Sequence, residues 1–90
     1  MKQNPISIYI VEDDPVYGAV LSHFLSLNPD FQVKKFTTAK EFLSALSVKP
    51  DIVTLDYSLP DVNGDQLLSQ VKSIAPATKV IITSGQENIK

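Results

Sequence analysis

Ninety residues suffice for one domain and are too few for two, and 43% hydrophobic with 20% charged residues is a globular composition, not a disordered one. A formal charge of −2, with no arginine, speaks against a nucleic-acid partner, which normally shows itself as a basic face. No cysteine excludes disulfides, thiolate metal sites and Cys nucleophiles, and no apolar run reaches a membrane span or a signal peptide; a small soluble cytoplasmic domain is expected.

In chain order, Ile6-Ser7-Ile8-Tyr9-Ile10-Val11 is a short β-branched apolar run that predicts a buried strand. Asp14-Pro15 follows, a capping residue with proline at the first helical position. Val16, Ala19, Val20, Phe24 and Leu27 recur at helical spacing and predict the inward face of a first helix, which Asn28-Pro29-Asp30 stops. Phe31-Gln32-Val33-Lys34-Lys35-Phe36 is a strand with a polar middle, suited to a sheet edge. Thr38 and Glu41 have capping-box spacing, and Phe42, Leu43 and Leu46 supply a second helix.

Lys49-Pro50-Asp51 predicts a turn, and Ile52-Val53-Thr54-Leu55 a third buried strand ending at Asp56. A loop through Pro60 leads to Gly64 and a third helix, with Leu67, Leu68, Val71, Ile74 and Ala75 on one face and Pro76 as its stop. Lys79-Val80-Ile81-Ile82-Thr83 is the fourth strand, terminated by Ser84-Gly85. The order β-α-β-α-β-α-β implies an α/β doubly wound parallel sheet with helices on both faces. Ligands of such sheets bind outside the carboxyl ends of the strands.

Two of the four groups at that edge are acidic: Glu12, Asp13 and Asp14 after the first strand, and Asp56 after the third. Carboxylates brought together there raise one another's pKa values unless a hard divalent cation such as Mg²⁺ compensates them. Asp14 has a sufficient structural explanation as N-cap before Pro15. Asp13 and Asp56 do not, since a carboxylate ending a buried strand is costly without a partner. Ser84-Gly85 adds a hydroxyl and backbone N–H groups that can donate to a phosphoryl oxygen.

Together these segments resemble the receiver domain of bacterial two-component response regulators. Ile8 to Asp14 resembles that family's first strand and acidic pair, and Val80 to Gly85 its fourth strand with a Ser/Thr switch and a small residue. Asp56-Tyr57-Ser58-Leu59-Pro60-Asp61-Val62-Asn63-Gly64 is similar to its phosphoacceptor loop, with Pro four residues and Gly eight residues after the Asp. The resemblance implies a flavodoxin-like fold in which Asp56 accepts a phosphoryl group from a sensor histidine kinase or phosphotransfer protein. It further implies that Asp13 and Asp56 hold Mg²⁺ directly, with Glu12 acting through water and Ser58 through its backbone carbonyl. Ser84 would be the switch hydroxyl and Gly85 would leave room for the phosphoryl group, while Pro60 shapes the loop and Gly64 its turn into the third helix.

The family pattern continues with a fourth helix, a fifth strand bearing a Lys and an aromatic, and a fifth helix, for which this sequence has no counterpart after Ser84. Residues 1–90 are therefore expected to be the N-terminal portion of a single receiver domain, a fragment or a chain that dimerises through its fourth-strand edge. The alternatives are a non-switching docking module and a Mg²⁺-dependent phosphohydrolase; the latter typically needs a second Asp where Ser58 stands. No enzyme activity beyond self-catalysed phosphotransfer and autodephosphorylation is expected, and no contact with nucleic acid or membrane. Thr83, His23, Lys34, Lys35 and Lys49 have structural or solvated explanations, and Tyr57 is expected to pack in the loop.

Overall fold

The structure is a computed structural model of the chain and describes residues 5–57, 59 and 62–83. The elements alternate as expected: β1 (Ile6–Val11), α1 (Pro15–Ser26), β2 (Phe31–Phe36), α2 (Ala39–Ala45), β3 (Ile52–Asp56), α3 (Gly64–Ile74) and β4 (Lys79–Thr83). A 3-10 turn over Leu46–Val48 prolongs α2. It ends at Lys49, whose φ of 60° is left-handed, a conformation that glycine or asparagine normally supplies.

The four strands form one parallel sheet in the order β2-β1-β3-β4. This is the doubly wound arrangement predicted, and it places the polar β2 at an edge. Such an order brings the ends of β1 and β3 side by side and so decides where the chemistry can occur. Val11 is registered with Leu55, and the next residue on each strand is an acid, Glu12 and Asp56.

Strand alternation divides the core between two faces. Tyr9, Val11, Val53 and Leu55 meet Phe42, Leu46, Leu67 and Val71 under α2 and α3. The Tyr9, Phe36 and Phe42 rings form a cluster with centroids 5.0 to 6.3 Å apart, in tilted and edge-on geometry. Ile8 and Ile10, also buried, point to the other face, where α1 packs on β1 and β2.

The orientation of α1 corrects the expectation from periodicity. Val16, Val20, Phe24 and Leu27 are exposed, Val16 at 71% and Phe24 at 63%, and Ala19 is exposed as well. Buried Gly18 and the half-buried Leu21, Ser22 and Leu25 face the sheet instead. The helix is apolar on more than one side, so spacing alone does not select the inward stripe. Close approach does: a Cβ on Gly18 would lie 3.2 Å from Lys35 Cδ and 3.7 Å from Glu12 Cβ. Similarly, Leu67 and Val71 of α3 are buried while Ile74 is exposed.

Candidate functional site

Glu12, Asp13 and Asp56 converge at the carboxyl edge. One carboxylate oxygen from each lies within 4.8 Å of the others. Glu12 continues β1, and its N–H donates to the Phe36 carbonyl at 2.9 Å. The alternation that buries Leu55 under α3 sends Asp56 to the side of Ile10, where Glu12 also lies. Glu12 and Asp56 are 6% and 3% exposed, whereas Asp13 stands at the solvent rim.

Two of these acids, Glu12 and Asp56, are buried beside the exposed Asp13, and that sets the electrostatics of the cluster. Asp56 is the neighbour that acts on both Glu12 and Asp13, and carboxyl groups this close favour the protonated form of one another. Loss of water raises the Glu12 pKa from its ordinary 4.5 to about 7, assisted by the bond to Asp56 and the charges of Asp56 and Asp13. The Asp14 N–H, donating to Glu12 Oε2 at 3.3 Å, opposes that rise. Desolvation and the Asp56 bond push Asp13 upward as well.

Three carboxylate oxygen donors this close together fit a hard divalent cation, which would neutralise their charge. Among the described residues this is the one group of three or more His, Cys, Asp or Glu side chains close enough to hold a metal.

Asp14 caps α1, accepting from the N–H groups of Val16 at 3.0 Å and Tyr17 at 3.2 Å, and stands outside the cluster as predicted. Thr38 caps α2 through the Glu41 N–H at 3.2 Å. Gly64 opens α3, but what it supplies is space. A Cβ there would lie 2.8 Å from both the Tyr57 carbonyl oxygen and its ring.

Thr83 turns its hydroxyl to the Leu55 carbonyl at 3.4 Å, in keeping with a structural part. The His23 ring meets Phe24 edge-on at 5.7 Å. Ser58, Pro60, Ser84 and Gly85 lie outside the described residues.

One contact is not legible from the motif. Tyr57, expected only to pack, rests its ring on Gly64 and donates its hydroxyl to Asp65 Oδ1. The Tyr57 N–H donates to the Thr83 carbonyl at 2.9 Å, tying the residue after Asp56 to β4.

Comparison with known proteins agrees with this geometry. The family model described as the response regulator receiver domain matches residues 8–90. The transcriptional regulatory protein MalR of Bacillus subtilis is 34% identical over 88 residues, covering 93% of this chain and 37% of MalR. A protein-glutamate methylesterase/protein-glutamine glutaminase of Vibrio vulnificus is 32% identical over 88 residues, covering 93% of this chain and 25% of the relative. The chain thus spans about a quarter to somewhat over a third of the length of these curated relatives.

Among solved structures, a CheY-like receiver domain protein of Methanospirillum hungatei superposes with a TM-score of 0.85 at 25% identity, over 96% of this chain and 69% of that one. A BeF3-activated DrrB receiver domain gives a TM-score of 0.78 at 30% identity, over 94% and 73%. Fold, strand order, acidic cluster and family match agree: the chain belongs to the response regulator receiver domain family, the phosphoacceptor domains of two-component signalling.

Proposed function

We propose that Asp56 is the phosphoacceptor, receiving its phosphoryl group from a phosphohistidine on a sensor histidine kinase or phosphotransfer protein. The observation that carries this is the convergence of Glu12, Asp13 and Asp56 at the end of two adjacent buried strands. The 30% identity with a receiver domain described as BeF3-activated supports it. Asp13 and Asp56 would hold Mg²⁺ directly, with Glu12 acting through water and Ser58 through its carbonyl. When bound, the ion supplies charge neutralisation at the transferred phosphoryl group.

In the transfer step, an Asp56 carboxylate oxygen attacks phosphorus in line with the bond to the donor imidazole nitrogen. The new O–P bond forms as the N–P bond breaks, the electron pair stays on nitrogen, and an acyl phosphate results. The protein contributes position and electrostatics, so a buried carboxylate on a rigid strand suits the task. Ser84 would donate to a phosphoryl oxygen, and Gly85 would leave space for it. This chemistry amounts to self-catalysed phosphotransfer and autodephosphorylation within one receiver domain, in the cytoplasm where kinase donors act. The esterase activity named for the Vibrio relative belongs to that protein, of which this chain matches a quarter.

Association through β4 is part of the same proposal. Among the described residues β4 pairs with β3 on one side alone, and Ile81 and Ile82 are exposed. Sedimentation of a monomer at high micromolar concentration would contradict it.

Incubation with acetyl phosphate and Mg²⁺ tests the phosphoacceptor. The expected result is a single phosphoryl mass increase, labile in base and absent from Asp56→Ala. An unmodified chain would return the reading to a non-switching docking module.

A further inference from the structure

We infer that Tyr57 and Asp65 form a latch that positions Asp56 for phosphoryl transfer, a role that rests on the phosphoacceptor reading above. Tyr57 follows Asp56 directly and is held at three points. Its N–H donates to the Thr83 carbonyl at 2.9 Å, its ring lies on Gly64, and its hydroxyl donates to Asp65 Oδ1. These contacts join the end of β3 to β4 on one side and to the first turn of α3 on the other.

The α3 end of the latch is itself anchored. Asn63 Oδ1 accepts from the Asp65 N–H at 2.8 Å and the Gln66 N–H at 3.2 Å, so the backbone carrying Asp65 is fixed by its cap. Asp65 lies at the positive end of the helix, where its charge is favoured. Gly64 is required for the ring to settle: any Cβ would collide with Tyr57 backbone and ring together. Tyr57 is 40% exposed, so its hydroxyl is free to reach water, yet it is committed to a carboxylate eight residues away.

Asp56 is the last residue of β3, so anchoring the next residue, Tyr57, to β4 and α3 limits fraying of the strand end that carries the acceptor carboxylate. In-line transfer depends on the acceptor oxygen being held in a narrow range of positions, and release of an anchoring bond to a charged group costs rate. Tyr57 is thus a positioning residue, acting through Asp56 and touching no reacting atom.

The test uses Tyr57→Phe, which keeps the ring on Gly64 and deletes the donor, with Asp65→Ala, Asp65→Asn and the double variant Tyr57→Phe/Asp65→Ala. The readouts are the rate of Asp56 phosphorylation by acetyl phosphate with Mg²⁺ and amide hydrogen exchange at residues 63–66. Tyr57→Phe and Asp65→Ala are each expected to slow phosphorylation roughly three- to tenfold and to speed exchange. The double variant should be no slower than either single one. Asp65→Asn, which keeps an acceptor oxygen, should restore the rate to within about twofold.

Wild-type rates in Tyr57→Phe, or additive losses in the double variant, would overturn the latch while leaving the phosphoacceptor standing. A wild-type chain that takes no phosphoryl group would overturn the phosphoacceptor reading and the latch together.

Discussion

Glu12 is buried against Asp56, and loss of water with the neighbouring carboxyl group pushes its pKa up from 4.5 to about 7. The folded chain therefore binds more protons than the unfolded chain between those values. Stability of the metal-free protein should fall as pH rises from about 4.5 through about 7, and change little from this source above that. Urea denaturation at pH 5 and pH 8 checks this, and Glu12→Gln should flatten the difference. Added Mg²⁺ should restore stability at pH 8, since a cation bound to the folded state stabilises it by mass action.

The two described glycines of the helices differ in the same test of stability. Gly64→Ala would place a methyl 2.8 Å from the Tyr57 carbonyl oxygen and should cost about 1–3 kcal/mol. Gly18→Ala meets the flexible Lys35 stem at 3.2 Å, which can give way. There the gain in helix propensity, about 0.8–1.0 kcal/mol, should leave the protein as stable or more so. Thermal melts should thus fall for Gly64→Ala and stay level or rise for Gly18→Ala.

At the level of elements, the four strands were legible because each is a short apolar or β-branched run bounded by turn residues, and their alternation with helices implied the parallel sheet. The caps Asp14 and Thr38 were legible for the same local reason: the donor–acceptor spacing is written in the sequence. The inward face of α1 was not, because Val16, Val20, Phe24 and Leu27 are as apolar as the residues that pack, and a close approach at Gly18 settles the matter.

Lys49 in the left-handed region and the Tyr57–Asp65 bond likewise depend on contacts formed only in the fold. The acidic cluster was readable because strand order brings two strand ends together; Tyr57 was hidden because its partner lies across a loop. Substitution separates these cases. Phe42→Ala, in the core under α2, should cost about 3–5 kcal/mol, whereas Phe24→Ala on the outer face of α1 should change stability by about 0.5 kcal/mol or less. Chemical denaturation midpoints at unchanged slope report both.

Across the whole molecule, one core lies under α2 and α3, and a thinner layer under α1 leaves its outer apolar residues uncovered among the described residues. None of the described helices is long and apolar enough to cross a membrane. The sheet holds its acidic edge on the two central strands, β1 and β3, so the site is supported on both sides by paired backbone. That support holds the strand ends in place, and with them the convergence of Glu12, Asp13 and Asp56 on which the phosphoacceptor proposal stands.

If Asp56 is the phosphoacceptor, this edge directs a phosphoryl group to one carboxylate of the three. Tandem mass spectrometry of the chain after treatment with acetyl phosphate and Mg²⁺ locates the adduct directly. Modification is expected at Asp56 alone and should be abolished by a chelator. Modification at Asp13 or Glu12, or an adduct that persists in Asp56→Ala, would contradict the phosphoacceptor reading.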